Sequence, residues 1–169
     1  FKRKVVFFVF FTVNIDPTPE DLADIAIHTA DLSRHFVEEK PKVAMLSFSN
    51  FGSNKHPLAE KVAVAVEIAK RKRPDLVIDG EMQADTALVP EIIEENYPFC
   101  ALKEPANILI FPDLQSGNIA YKLMMRLGDA EAIGPILIGM KHPINVLQQN
   151  SDVDEVVNMA TITVIKAQQ

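Results

Sequence analysis

The sequence predicts an α/β protein, a three-layer sandwich whose mostly parallel sheet is covered by helices on both faces. Three observations predict it. Short apolar runs alternate with stretches of helical spacing from one end of the chain to the other. The runs are continuous rather than alternating, as in Ile108–Phe111, which suits strands buried on both sides. Each run also opens onto a polar turn and then a helix start, the unit from which parallel sheets are built.

Phe1–Phe11 is the first strand. Its Lys2-Arg3-Lys4 and the seven apolar residues behind them imitate a signal peptide, but no small-residue cleavage site follows, and a buried strand is the expectation. Thr12–Pro19 leaves that strand as a loop. Thr18 is the N-cap of the next helix, with Pro19 at its first position and Glu20 and Asp21 in its first turn. Leu22, Ile25, Ala26, Thr29, Leu32 and Phe36 form one apolar stripe, ending near Val37. Lys42–Leu46 is the second strand and opens onto Ser47–Asn54. A helix over Pro57–Lys72 turns Ala59, Val62, Ala63, Val66 and Ala69 inward and ends in Lys70–Arg73, where the helix dipole favours cations.

Pro74–Glu81 is the third strand with its exit turn, and Ala84–Asn96 is helical with an interruption near Pro90. Asn107–Phe111 is a strand closed by Pro112. Asp113–Gly117 is its turn, and Ile119, Leu123, Arg126 and Leu127 are spaced as a helix that Gly128 can end. Pro135–Ile138 reads as a further parallel strand. Ser151 or Asp152 then caps a last helix through Val156, Val157, Ala160 and Val164.

Composition excludes several classes. At 169 residues with 48% hydrophobic and 24% charged content, the chain is one globular domain or a piece of a larger one. A net charge of −6 and a pI near 5.2 argue against nucleic acid as a partner. No apolar run approaches the roughly eighteen residues of a membrane span, so no membrane partner is expected. Cys100 is the only cysteine, which rules out an intrachain disulfide and points to a reducing cytoplasm.

In a parallel sheet four exits would meet at one edge: Asn14–Asp16, Ser47–Asn54, Asp79–Asp85 and Asp113–Asn118. Gly52-Ser53-Asn54 could cradle a phosphate with backbone amides ahead of a helix, with Lys55 adding charge; a plain Gly-Ser turn reads the same way. Asp79, Glu81 and Asp85 could serve as an acid/base or metal cluster, but a solvated acidic loop edge is the expectation. His28, His35, His56 and His142 lack zinc-site spacing and read as surface or loop residues. Cys100 has only Lys103 as a basic neighbour and reads as a buried, inert thiol.

A resemblance adds to this. Phe111-Pro-Asp-Leu-x-x-Gly-Asn-Ile-Ala-Tyr-Lys122, followed by Glu131-Ala-Ile-Gly-Pro-Ile136, is similar to the phosphate acetyl/butyryl transferase (phosphotransacetylase) family. That family includes the transacetylase-like C-terminal domain of NADP-dependent malic enzymes. Val13–Ala23, Val43–Ser53, Asp79–Asp85 and Asn158–Thr163 also read like family blocks, so the likeness runs from Thr12 to Gln169. It implies a topology like that of isocitrate/isopropylmalate dehydrogenases, with two lobes flanking a cleft, and at Asp79, Glu81 and Asp85 it implies cleft architecture with no metal. Residues 1–169 would be one lobe plus a C-terminal segment of that unit, the C-terminal portion of a phosphotransacetylase-like domain. Phe10 and Phe11 stand where family members more often have Asp-Thr.

The cleft residues implied are Ser47, Ser49, Asn50, Gly52, Ser53, Asp79, Glu81, Gln83, Asp113, Gly117, Asn118, Gly134, Pro135, Asn145, Gln148 and Gln149. Active members resemble one another in Pro-x-Asn-Asp-Leu-Ser-Arg-Gly, whose Ser-Arg pair holds the acyl phosphate. This chain has Pro143, Asn145 and Leu147, but Val146 in place of Asp, Gln148 in place of Ser and Gln149 in place of Arg. Glutamine donates hydrogen bonds but carries no charge and cannot fork onto a phosphate. Losing one such group costs about 10²–10³ in rate.

The resemblance therefore implies first a regulatory domain of an NADP-dependent malic enzyme, binding acetyl-CoA without acyl transfer. An upstream malic-enzyme domain would hold NADP and a divalent metal, with no cofactor in this piece, and a homo-oligomer is expected. The alternative is an active phosphate acyltransferase working on CoA, and the third possibility is an assembly module whose cleft binds nothing.

Overall fold

Four short strands make one all-parallel sheet in the order β1-β4-β2-β3. They are β1 (Phe7–Val9), β2 (Lys42–Leu46), β3 (Val77–Met82) and β4 (Ile108–Ile110). The computed structural model describes residues 5–10, 14–128, 130–147, 149 and 151–168. Six helices accompany the strands among those residues: α1 (Pro19–Ser33), α2 (Pro57–Lys72), α3 (Ala84–Leu88), α4 (Pro90–Asn96), α5 (Leu114–Leu127) and α6 (Val153–Ala167). The α/β class with a parallel sheet thus stands as expected.

The two sheet faces follow from chain direction. β1 to β2 and β2 to β3 both step one way across the sheet, and α1 and α2 cover one face with Leu22, Ala26, Val62, Val66 and Ala69 against Val43, Met45 and Ile78. β3 to β4 steps back, so a right-handed crossover must use the other face. There Ala87, Ile93, Cys100, Leu102 and Ala106 pack on Ala44, Leu46, Met82 and Leu109. Alternate residues of β2 therefore serve opposite layers, which is why its apolar run is unbroken.

Local chemistry fixes the element ends. Thr18 accepts the Asp21 amide while the Asp21 carboxylate accepts the Thr18 amide, a capping box on α1, and Asp152 with Glu155 does the same for α6. His56 caps α2 with its ring Nδ1, which accepts the Leu58 amide at 3.2 Å. Helix α1 stops at Ser33 rather than near Val37: the amides of His35 and Phe36 bond three residues back, to the Leu32 and Ser33 carbonyls, and the last turn leaves the four-residue pattern. Arg73, at the end of α2, forks onto both oxygens of Asp31 at 2.9 Å and also binds Asp75. The hydrogen bond from Arg73 holds the Asp75 carboxyl at about 2, below the usual carboxylate range.

Pro135–Ile138 is not a strand of the sheet. Among the described residues its one ladder contact is an antiparallel bridge between Ile136 and Asn145. Pro135 has no N–H to donate, and Pro135–Ile138 is only half-buried, so neither face has the cover a parallel strand needs. The sheet is completed by Phe7–Val9, within the first strand expected over Phe1–Phe11, paired with Ile108–Ile110.

The chain divides into two compact units, Phe1–Tyr121 and Lys122–Gln169. The first contains the whole sheet. Within the second, Asn145 joins the Ile136 segment to α6: its Nδ2 donates to Thr163 Oγ1 at 2.7 Å and its Oδ1 accepts the Leu137 amide at 3.3 Å. No helix among the described residues is long and apolar enough to cross a membrane.

Candidate functional site

The carboxyl ends of β2 and β3 build the site. β2 exits towards α2 on one face and β3 towards α3 on the other, so the chain opens a crevice between them. At the base, Gly80 allows the two strands to touch: a Cβ there would stand 2.6 Å from the Met45 carbonyl oxygen, and its φ of +145 disfavours any side chain. The ladder then shifts register between Met45 and Leu46, which brings Glu81 under the Ser47–Asn54 loop.

Glu81 is 3% exposed, and its partners explain how a carboxylate is tolerated there. Its Oε1 accepts the Gly52 amide at 2.6 Å and the Ser49 hydroxyl at 2.8 Å. Its main-chain carbonyl accepts the Phe51 amide at 2.8 Å. Phe51 and Gly52 both adopt positive φ, 46 and 81, so that two successive amides face one residue. Ser49 Oγ in turn accepts the Asn54 amide at 3.1 Å, and Ser53 Oγ accepts the Asn50 amide at 3.0 Å. Gln83 closes the loop from β3, donating its amide to Asn50 Oδ1 at 2.8 Å and its side-chain Nε2 to the Phe48 carbonyl at 2.7 Å. Ser47 joins through its amide to the Met82 carbonyl and its hydroxyl oxygen to the Ser49 amide.

Seven of the residues expected in a cleft thus share one network: Ser47, Ser49, Asn50, Gly52, Ser53, Glu81 and Gln83. Its chemistry differs from the expected amide cradle. The amides of Gly52, Ser53 and Asn54 already donate to Glu81, to the Asn50 carbonyl and to Ser49, so none is open to a phosphate. Lys55 and the Asn50 Nδ2 make no hydrogen bond among the described residues and remain able to donate. Above the loop, the Phe51 ring lies 4.9 Å from Tyr97 and 5.0 Å from Phe99.

Asp79 and Glu81 are not a solvated acidic edge. Asp79 is 5% exposed and accepts Lys70 Nζ at 2.7 Å, the Ala101 amide at 2.7 Å and the Gly80 amide at 3.1 Å. It anchors the Cys100 turn rather than facing the loop. Burial, and then Asp79 beside it, pushes the Cys100 thiol up to about 11. Asp85, by contrast, is exposed and caps the Thr86 amide.

The β1 and β4 exits meet separately. Lys61 reaches Asp16 at 2.7 Å and the Pro112 carbonyl at 3.0 Å, and the Leu114 amide donates to the Ile15 carbonyl. Asp113 accepts the Ser116 amide at 2.7 Å and so caps α5. Gly117 is buried against Phe10, whose Cβ would lie 2.4 Å from a Cβ at that position, so its backbone is closed to a ligand. Asn118 is exposed on α5.

Lys61 was not singled out from the sequence. No local signal marks it, because its partners Asp16 and Pro112 lie 45 and 51 residues away in the chain. In the second unit, Gly134 is exposed, Pro135 is half-buried, and Asn145 has its side chain taken up by Thr163 and Leu137. Gln149 is an exposed turn residue, and Gln148 lies outside the described residues.

Comparison with known proteins places this geometry. The sequence profile of the family described as "Phosphate acetyl/butaryl transferase" matches residues 1–164. The phosphate acetyltransferase of Clostridium acetobutylicum is 50% identical over 157 residues, covering 93% of this chain and 47% of that protein. A crystal structure of a phosphotransacetylase from Streptococcus pyogenes superposes with a TM-score of 0.88 at 48% identity, over 93% of this chain and 47% of that one. An NADP-dependent malic enzyme of Salmonella typhimurium is 44% identical over 158 residues, 92% of this chain and 21% of its own length. The chain spans about half the length of the phosphate acetyltransferase of C. acetobutylicum. By its sequence and its fold alike, the chain belongs to the phosphate acetyl/butyryl transferase family.

Proposed function

We propose that this chain is part of a phosphate acyltransferase that moves an acetyl or butyryl group between CoA and phosphate. The observation that carries the reading is the 50% identity to a phosphate acetyltransferase across 93% of the chain. In the forward reaction the CoA sulfur attacks the acyl carbonyl, a C–S bond forms, the C–O bond to phosphorus breaks, and phosphate leaves with the electron pair. The thiol proton passes to solvent or phosphate. Such chemistry gains most from groups that hold the acyl phosphate still and meet the charge that develops on it. The Ser47–Asn54 loop with Lys55 supplies the Asn50 side-chain amide and the Lys55 ammonium as donors at the sheet edge where such folds bind ligands.

The regulatory malic-enzyme reading expected first is not supported. Phosphate acetyltransferases match at 50% and 48% identity, against 44% for the malic enzyme. NADP and a divalent metal, tied to that reading, do not enter the proposed reaction. CoA and acyl phosphate are the proposed partners, in the cytoplasm, together with a second copy of the chain. The second copy would cover exposed apolar residues such as Leu127, Val153 and Val157. Sedimentation velocity across a concentration series tests it, and a single monomeric boundary throughout would remove it.

The activity is tested by following acetyl-CoA formation from acetyl phosphate and CoA in the protein carrying this chain. Turnover is expected. Tight acetyl-CoA binding with no turnover would reinstate the regulatory reading. Changing Gln149→Arg should raise the rate by strengthening the hold on phosphate, about tenfold for each 1.4 kcal/mol gained.

A further inference from the structure

We infer that Glu81 is the positioning residue of the Ser47–Asn54 loop: its carboxylate fills the loop's own amide nest, so that side chains rather than backbone amides meet a phosphate-bearing ligand. The ligand class rests on the acyltransferase reading above; the positioning role does not.

The hydrogen bonds have a direction that leads to Glu81. A carboxylate only accepts, so the Ser49 hydroxyl must donate to Oε1. Having used its one proton there, Ser49 can only accept in its 3.2 Å contact with Ser53, so Ser53 is the donor. Ser53 likewise accepts from the Asn50 amide. One relay therefore runs from Asn50 N–H through the Ser53 and Ser49 hydroxyls to Glu81, and both hydroxyl rotors are set by the carboxylate at its end. The Gly52 amide and the Phe51 amide reach the same residue through Oε1 and the main-chain carbonyl.

This arrangement decides between two uses of the loop. A glycine-containing turn ahead of a helix is ordinarily an anion site by virtue of free amides. Here an anion of the protein already occupies it, nearly sealed from water at 3% exposure. A phosphate could take those amides only by expelling a buried carboxylate towards like charge. The donors still open, Asn50 Nδ2 and the Lys55 ammonium, are carried on the rim that Glu81 holds in place.

The test uses Glu81→Ala, Glu81→Gln and Ser49→Ala in the full chain, with amide hydrogen exchange, acetyl-transfer kinetics and inorganic phosphate titration. Glutamine keeps an acceptor of the same shape, so E81Q should retain a KM for acetyl phosphate within about threefold of the parent. E81A should raise that KM on the order of tenfold with a smaller change in kcat, the signature of lost binding geometry. It should also speed exchange of the Gly52 and Asn54 amides. S49A should reproduce part of this, and the double variant should be no worse than E81A, because both act through one relay.

A variant set that loses thermal stability while KM and loop exchange stay at parental values would make Glu81 a mere strut and overturn the inference. Tighter phosphate binding by E81A would overturn it too, since the freed amides would then be the site. If the parent transfers no acyl group, the acyltransferase reading fails alone. Faster loop exchange with weaker phosphate binding in E81A and S49A would still uphold the positioning role, and their absence would sink it. Should E81A fail to fold, E81Q against S49A carries the same comparison.

Discussion

Cys100 is buried at the turn that follows α4, and Asp79 beside it opposes ionisation. With the thiol at about 11, the thiolate fraction at pH 8 is on the order of 10⁻³, and thiolate is the reacting form. Ellman's reagent should therefore label native Cys100 very slowly and the urea-unfolded chain at once; rapid native labelling would contradict its burial. The same shift has a consequence for stability. Cys100 ionises less readily folded than unfolded, where its value is about 8.5. Stability is thus fully present below pH 8.5 and declines as pH rises towards 11, because only the unfolded state gives up the proton. Urea unfolding of parent and Cys100→Ala at pH 7.5 and pH 10 should show the parent losing more between the two.

At the scale of elements, Asn107 and Gly117 hold β4 and α5 in their places. Asn107 is 2% exposed, and its side chain accepts the Lys42 amide at 2.8 Å and donates to the Lys40 carbonyl at 3.0 Å. It joins the starts of β4 and β2. Asn107→Ala leaves both main-chain groups without a partner and should cost about 1–3 kcal/mol in urea unfolding. Gly117→Ala sets two effects against each other. Helix propensity favours alanine by about 1 kcal/mol, but the new Cβ would meet Phe10 Cβ at 2.4 Å. That contact involves the side-chain carbon attached directly to the backbone rather than the end of a flexible chain, so overpacking of about 1–3 kcal/mol wins. Adding Phe10→Gly, which removes that Cβ, to Gly117→Ala should return part of the loss; a more stable single variant would refute the contact.

What could be read in advance at this scale was what local chemistry decides. Thr18 with Asp21, Pro57 at the start of α2 and Pro90 between α3 and α4 act on neighbours three or four residues away. Pro135–Ile138 failed because an apolar run becomes a strand only with a partner, and nothing local supplies one. Glu81 failed for the same reason at longer range: the groups that make its burial tolerable lie 29 and 32 residues upstream. Motif likeness located the loop, but it could not show that the loop's amides were already taken.

For the whole molecule, the division of burial is uneven. Both apolar cores consist of residues before Tyr121, as does every strand of the sheet. Among the described residues beyond it, Met159 is the only buried hydrophobic side chain. A segment of that size buries too little apolar surface to offset its chain entropy, since domains below about 40–60 residues are marginal even when well packed. A chain ending at Gly128 keeps α5 whole, together with the sheet and both cores. It should unfold in one cooperative urea transition, with a slope reduced roughly in proportion to the surface removed. Residues 129–169 alone should show little far-ultraviolet helix signal, although the Asp152 capping box favours α6 locally. If the shortened chain instead melts without cooperativity, the second unit contributes to the first one's stability, and the placing of the fold's stability within residues 1–121 is wrong.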